Sequence, residues 1–329
     1  MKIMVLGGTG HISGSIVARL LEKGHEVTCF NRGKSGDVPD GVNVIVGDRR
    51  DKSTFISKMR KERFDAVIDM ISFTEEDALT SIEAFRDVGQ FVQCSTVCTY
   101  GIDYDCLPVP EEHPLRPISG YGRGKALADQ ALLQAHRQDG FPVTIIKPST
   151  TYGPRSGMLR QVAWDFSWID RIRKGKPILL CGEGKAIHQF LHVSDAAKGF
   201  AGVLGKPHCI GQVYHLVNPA LVTWEEYHRT AMKVLNREVE TVGVELDTLL
   251  AIDPDRFDIC REIFAHDTYY SAQKLLRDVP EFVPTQSLEE GMRQVFDAME
   301  REGRIPDSDS ESWEDLIIDG CHSERIRRF

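Results

Sequence analysis

The stretch "KIMVLGGTGHISGSIVARLL", residues 2–21, joins a short apolar β-forming run to an amphipathic helix predicted over 12–23. Closely spaced glycines lie between the two. In this position Gly7 suits a tight turn, and Gly10 lets the backbone approach a pyrophosphate at the helix N-terminus. The third glycine of the usual spacing is replaced by Ser13. The turn therefore predicts dinucleotide binding, with a purely structural turn as the alternative.

The first half of the chain repeats this alternation of apolar runs and helices. Because the runs do not alternate with polar residues, they predict parallel strands covered on both faces. The expected fold is α/β, a doubly wound parallel sheet of the Rossmann type. The predicted strands are 2–7, 25–30, 42–47, 64–70, 90–95 and 143–148, and the predicted helices begin near residues 12, 52, 75 and 121.

After Pro154 the pattern changes to a mixture of helices and short strands, which predicts a smaller, discontinuous α+β lobe. The segment 156–175 is predicted as one helix with an aromatic stripe. We expect a dinucleotide-binding domain over 1–154, to which 190–218 returns, and a substrate lobe made of 155–189 and 219–302. The acidic tail 303–329 is predicted to be disordered or to dock through its apolar residues.

Composition is that of an ordinary globular protein. The chain has 329 residues, 41% of them hydrophobic, and a net charge of −9, which argues against binding to nucleic acid. No apolar run approaches the roughly 20 residues that span a membrane. The eight cysteines are scattered without a C-x-x-C pair, and no ligand pattern predicts a metal site. We expect a cytoplasmic protein without membrane or nucleic-acid partners.

The end of the second predicted strand bears on the choice of dinucleotide. An acidic residue there would bind the ribose 2′-hydroxyl of NAD, but the chain has Asn31 and Arg32, followed by Lys34 and Ser35. Cationic side chains can pair with a 2′-phosphate, which favours NADP while leaving NAD open. After the third strand, Asp48 either meets the adenine amino group or caps the next helix.

"SGYGRGKALA", residues 119–128, places Tyr121 and Lys125 four positions apart where a helix begins. The two side chains then share one helix face, and the ammonium is expected to lower the pKa of the phenol. The pair is either a catalytic base with its supporting cation or two surface residues of an ordinary helix.

Six motifs in register decide how these features are interpreted. They are "GGTGHIS" (7–13), "GD" (47–48), "CSTVCTYG" (94–101), "YGRGK" (121–125), "KPSTTYGP" (147–154) and "FLHVSDAA" (190–197). With them the chain resembles the extended short-chain dehydrogenase/reductase family, of the NAD-dependent epimerase/dehydratase type, over residues 1 to about 220. "WIDRIRKGKPI" is more loosely similar to a plastid RNA-associated branch.

The resemblance implies residue roles. Thr96 matches the group that hydrogen-bonds the reacting oxygen of the substrate, Tyr121 the general base, and Lys125 the cation on the nicotinamide ribose. Predicted cofactor-binding residues are Gly7, Thr9, Gly10, His11, Ile12, Asn31, Arg32, Lys34, Ser35, Asp48, Arg49, Lys125, Pro148 and Ser149. Predicted substrate-binding residues are Thr96, Thr150, Tyr152 and His188.

Two departures from the family pattern concern the substrate. His188 stands where sugar-nucleotide enzymes usually carry an arginine for the diphosphate, and Lys147 replaces a common arginine before a proline. Whether the sugar carries a nucleotide therefore stays open. Val97 and Cys98 stand in place of the Asp-Glu pair of similar dehydratases, which disfavours elimination.

The resemblance implies an NAD(P)-dependent sugar or sugar-nucleotide epimerase that works through a transient keto intermediate. The alternative is a dehydrogenase or reductase of a sugar or other secondary alcohol. A non-catalytic, RNA-associated binding protein of the same fold is a further alternative, and a homodimer is expected from the family.

Overall fold

The computed structural model describes residues 1–34 and 38–327, with side chains described up to residue 323. The chain divides into two compact units. Unit 1 comprises Met1–Thr151, Leu191–Pro219 and Tyr270–Thr285, and unit 2 comprises Tyr152–Phe190, Ala220–Tyr269 and Gln286–Phe329. Among the described residues, no helix combines the length and the apolar character needed to cross a membrane.

In chain order the strands are β1 (Lys2–Leu6), β2 (Glu26–Asn31), β3 (Asn43–Val46), β4 (Ala66–Asp69), β5 (Gln90–Cys94), β6 (Val143–Pro148), β7 (Thr150–Tyr152), β8 (Ile178–Cys181), β9 (Ile187–His188), β10 (Phe190–His192), β11 (Val213–Leu216), β12 (Val222–Thr223) and β13 (Thr241–Val244). The α-helices are α1 (His11–Glu22), α2 (Lys52–Met59), α3 (Glu75–Ala84), α4 (Gly120–Asp139), α5 (Ser167–Lys174), α6 (Val193–Gly202), α7 (Trp224–Val234), α8 (Leu246–Ile252), α9 (Gln273–Asp278), α10 (Leu288–Arg301) and α11 (Trp313–Arg327).

Unit 1 is built on a seven-stranded sheet in the order β11-β6-β5-β4-β1-β2-β3, and every described pairing in it is parallel. Apolar side chains of α1 and α6 cover one face, and those of α2, α3 and α4 belong to the cluster on the other. The predicted doubly wound sheet is confirmed. The strand order reverses between β1 and β4, so the carboxyl ends of these strands form the crevice where this fold binds its ligands.

The segment Tyr270–Thr285 belongs to unit 1, although we predicted it in the substrate lobe. Leu275, Val279 and Phe282 on or after α9 are fully buried in the same cluster as Leu216 of β11. The Tyr214 hydroxyl also donates to Asp278 at 2.9 Å. Leu275, Val279 and Phe282 follow one another at intervals of three or four residues, so they lie on one face of this segment. Unit 1 buries that face.

Unit 2 contains a parallel pair, β8 with β13, and an antiparallel pair, β9 with β12. The single helix predicted over 156–175 is wrong, because only α5 is helical in that segment. Residues before α5 adopt an irregular path in which Gln161 accepts from Cys181 N at 3.0 Å and donates to the Phe264 carbonyl at 3.2 Å. Tertiary hydrogen bonds replace the helical ones there.

The acidic tail forms part of unit 2, where α11 docks on its core. Ile318 is fully buried among the residues around β8 and β13. Glu314 is buried too, and it accepts from Arg160 Nη1 at 2.6 Å and from Leu179 N at 2.8 Å. Of the two alternatives for the tail, the described residues show docking, and Arg171 adds an ion pair with Asp315 at 2.7 Å.

Candidate active site

The glycine turn between β1 and α1 is closed by Ser13. The Ser13 hydroxyl donates to the Gly7 carbonyl at 2.6 Å and accepts from Gly10 N at 2.8 Å, and the side chain is buried. Gly7 has φ of +80°, which favours glycine. The serine in the third glycine position therefore holds the turn rather than disrupting it.

The turn fits a pyrophosphate. Gly10 is exposed at the N-terminus of α1, and the first turn of that helix carries no acidic residue. Thr9, His11 and Ile12 are half-buried around it. Burial lowers the pKa of His11 to about 4, so its imidazole is neutral at pH 7. The helix N-terminus is thus free of competing carboxylates and retains its favourable field for an anion.

Directly after β2, the described residues 32–34 include two cations and no carboxylate. The Asn31 side chain stabilises the turn that follows β2, because its Oδ1 accepts a hydrogen bond from Gly33 N at 2.9 Å. Arg32 and Lys34 are exposed. Ser35 lies outside the described residues.

After β3, the two predicted cofactor residues differ. Asp48 is exposed and accepts from Arg50 N at 3.0 Å, while Asp51 caps α2, so the capping alternative for Asp48 is wrong. Arg49 is buried and its Nη1 binds both carboxylate oxygens of Asp69, at 3.0 and 3.1 Å. Arg49 also donates to Ser81 and to the backbone of α3. These bonds favour a structural role for Arg49 over the predicted cofactor contact.

The three predicted catalytic residues lie together in unit 1. Thr96 follows β5 and is buried, and Tyr121 and Lys125 lie in the first turns of α4, where Ser119 caps the helix. The Thr96 side chain lies near enough to the Tyr121 phenol to lower its pKa. Lys125 Nζ lies 5.9 Å from the Tyr121 ring centre and donates to the Cys94 carbonyl at 2.6 Å.

The pKa of the Tyr121 phenol is raised, whereas its spacing from Lys125 predicts that it is lowered. Burial, with the nearby Cys94 and Cys98, raises the pKa of Tyr121, and the Thr96 side chain only partly opposes this. The residue as a whole is 49% exposed, so solvent weakens this effect of burial. Burial likewise lowers the pKa of Lys125. The side chains of the protein alone therefore favour the neutral phenol of Tyr121 over the phenolate.

A buried ion pair supports these residues, and sequence reasoning missed its acidic member. Lys147 Nζ lies 2.6 Å from Asp129 Oδ2 and donates to Thr99 Oγ1 at 2.7 Å. Asp129 also accepts from Ser95 at 2.6 Å, so the pair joins α4 and β6 to the loop that carries Thr96. The signal was available: Asp129 follows Lys125 by four residues, as Lys125 follows Tyr121. Because Lys147 is buried in this pair, its replacement of an arginine carries no information about a diphosphate.

The remaining predicted residues fall in different environments. Pro148 ends β6, and Ser149 and Thr150 follow it in unit 1, both half-buried. In unit 2 Tyr152 is buried. His188 is buried with its ring 5.3 Å from Trp224, and its Nδ1 lies 2.6 Å from the Thr268 hydroxyl. Burial lowers its pKa to about 3. These surroundings favour packing roles for both side chains rather than the predicted substrate contacts.

Comparison with known proteins shows the family to which the chain belongs. A profile of the NAD dependent epimerase/dehydratase family matches residues 3–216. The chain belongs to this family. This match confirms the predicted family. At the level of the family it also confirms the prediction of an NAD(P)-dependent enzyme that uses NAD or NADP.

Relatives of this family member differ in their functions. It is 27% identical over 312 residues to the chloroplast stem-loop binding protein of 41 kDa b from Arabidopsis thaliana, covering 90% of this chain and 78% of the relative. It is 26% identical over 245 residues to 2'-dehydrokanamycin reductase from Streptomyces kanamyceticus, covering 74% and 69%. UDP-glucose 4-epimerase from Thermotoga maritima, solved with UDP-glucose, superposes with a TM-score of 0.74 at 19% identity, covering 92% and 99%. The last comparison shows the fold alone.

Proposed function

We propose that this family member is an NAD(P)-dependent sugar or sugar-nucleotide epimerase that works through a transient keto intermediate. The observation that carries the proposal is the grouping of Thr96, Tyr121 and Lys125 in unit 1. Thr96 follows β5 and the glycine turn follows β1, and these strands end at the same edge of one parallel sheet. This arrangement supports the proposal that an acid-base group and a dinucleotide-binding turn share one ligand-binding edge.

The side chains have separate tasks in this proposal. Tyr121 takes the proton of the substrate hydroxyl, and Thr96 holds the reacting oxygen through its hydroxyl. Lys125 remains buried and anchored by the Cys94 carbonyl, which fixes where its charge lies. When bound, the oxidised dinucleotide would accept hydride, and its positively charged ring would favour the phenolate. Tyr121 needs this effect because its pKa is raised in the protein alone.

A reductase is the second candidate. The exposed Arg32 and Lys34 after β2 favour NADP, which net reductions commonly use, and the Streptomyces relative is a reductase. In a reductase Tyr121 would return the proton to the carbonyl oxygen, with the same residues in the same places.

A homodimer is proposed through the outer faces of α3 and α4, which pack side by side. Leu79 is 54% exposed and Leu127 is 48% exposed on these helices. Two such side chains on adjacent helices are suited to a second copy of the chain. Light scattering should give a dimer mass that falls to the monomer mass in Leu127→Glu, and an unchanged mass would refute this interface.

The functional test is a panel of sugars and nucleotide sugars, including UDP-glucose, given to the full-length protein with each dinucleotide. An epimer formed without net reduction of the dinucleotide, and lost in Tyr121→Phe, supports the epimerase. Stoichiometric consumption of the reduced dinucleotide supports the reductase. If no sugar is converted and wild type and Tyr121→Phe bind stem-loop RNA equally, both enzymatic candidates are wrong and the RNA-associated alternative holds.

A further inference from the structure

Phe73 lies beside the catalytic group but has no role in the function proposed above. It follows β4, at the same edge of the sheet as Thr96, and is 46% exposed. Its backbone is fixed, because Phe73 N donates to Asp77 Oδ2 at 2.9 Å. On its other side, a Cβ on Gly124 would lie 2.5 Å from the Phe73 carbonyl oxygen. The backbone is thus packed tightly against α4, and a large apolar side chain remains partly in solvent.

The ring of Phe73 lies over the Lys125 ammonium. Lys125 Nζ is 4.5 Å from the Phe73 ring centre, closer than the 5.9 Å to the ring of Tyr121. The two rings are 6.4 Å apart and tilted by 48°. Lys125 is only 1% exposed. Phe73 is the more exposed of the two residues, and the distance is that of a cation–π contact.

Aromatic cover suits this ammonium better than other cover would. A carboxylate would neutralise the charge of the ammonium. An aliphatic side chain would not compensate electrostatically for the hydration that the ammonium loses. The described hydrogen bond to the Cys94 carbonyl uses one of its three donors. A ring face therefore holds the cation in place while leaving its remaining donors for a ligand.

We propose that Phe73 is a positioning residue that covers Lys125, keeps its ammonium out of water and holds it where the ribose of the dinucleotide is bound. This inference rests on the proposed function only for the identity of the ligand. The contact between ring and ammonium is a property of the protein itself and can be tested without any dinucleotide.

The first test measures access to Lys125 in the full-length protein without dinucleotide. Amine acetylation is followed by mass spectrometry of the peptide that contains Lys125, in wild type, Phe73→Ala and Phe73→Tyr. Phe73→Ala should speed labelling of Lys125 by about tenfold or more, while Phe73→Tyr keeps the aromatic face and the slow rate. Val283→Ala is the matched control, because Val283 is a similarly exposed apolar side chain of unit 1 that lies outside the proposed dimer interface. Equal labelling in wild type and Phe73→Ala, or an equal rise in Val283→Ala, would overturn the inference.

The second test is dinucleotide affinity, measured by fluorescence titration with NADH and NADPH. A cation–π contact of ordinary strength predicts a Kd raised about 2- to 30-fold in Phe73→Ala and restored in Phe73→Tyr. A Kd unchanged in Phe73→Ala overturns the role in ribose binding. If wild type binds neither dinucleotide, the proposed function has failed, and the labelling result still decides whether Phe73 covers Lys125.

Discussion

Acidification should weaken unit 2 because its interior holds two neutral histidines. His188 and His228 are buried, and burial lowers the pKa of each to about 3. His228 Nδ1 lies 2.7 Å from the carbonyl oxygen of Trp224, and the nearby Arg160 lowers its pKa further. An unfolded histidine titrates near pH 6.5. The unfolded chain therefore takes up these protons first, so the stability is fully present above about pH 6.5 and is lost as the pH falls toward 3.

The size of the effect follows from the two pKa values of each histidine. Each group lowers the free energy of unfolding by about 2 kcal/mol between pH 7 and pH 5, and the pair by roughly 4 kcal/mol. His228→Met removes one titrating group, so between pH 7 and pH 5 this variant should lose about 2 kcal/mol less than wild type. The comparison uses the change with pH in each protein, so a constant cost of the substitution cancels.

Urea unfolding followed by tryptophan fluorescence measures this change selectively. All four tryptophans lie in unit 2: Trp164, Trp168, Trp224 and Trp313. Phe296→Met is the matched control, because Phe296 does not titrate and its ring centre lies 6.1 Å from that of Trp168. It should lower stability equally at both pH values. If His228→Met loses as much stability between pH 7 and pH 5 as wild type does, the histidines are not the cause and the reasoning is refuted.

Three further variants test other parts of the structure. Ser13→Ala removes both hydrogen bonds that close the glycine turn, so dinucleotide titration should show weaker binding by about tenfold, with Ser13→Thr retaining more affinity; equal affinity in Ser13→Ala would contradict this. Asp129→Asn leaves the Lys147 ammonium buried without its counterion, so the free energy of unfolding, measured by circular dichroism in urea, should fall by about 3–5 kcal/mol. The loss should be smaller when Lys147→Met is added, and a loss of less than about 1 kcal/mol in Asp129→Asn would contradict a stabilising role for the pair. Removing 303–329 takes away Glu314 and uncovers the core of unit 2, so thermal unfolding should occur at clearly lower temperature, whereas an unchanged midpoint would mean that α11 does not stabilise the unit.

The sheet and the glycine turn could be predicted because their signals are local. Apolar runs without alternation require burial on both faces, and only glycine suits the positive φ at Gly7. Tyr121, Lys125 and Thr96 were found from helix spacing and from motifs in register. Their grouping in one unit follows from strand order, which the alternation of strands and helices already implies.

The errors arose where distant segments decide the local state. The pKa of Tyr121 depends on burial by the loops after β4 and β5, which helix spacing does not report. Arg49 forms an ion pair with Asp69, which lies twenty residues away in the sequence on β4, a strand separated from β3 by two others in the sheet. The irregular path before α5 depends on hydrogen bonds to residues such as Phe264, and His188 depends on aromatic rings from three segments of unit 2. None of these contacts has a periodic signature.

The most direct test of the account is single-turnover hydride transfer, measured with the best substrate from the panel in wild type and in Tyr121→Phe. The variant should bind the dinucleotide with the affinity of wild type and transfer hydride more slowly by about 10²- to 10⁴-fold, since it lacks only the group that moves the proton. Transfer at the wild-type rate in Tyr121→Phe, with binding intact, would contradict the claim that this phenol is the base.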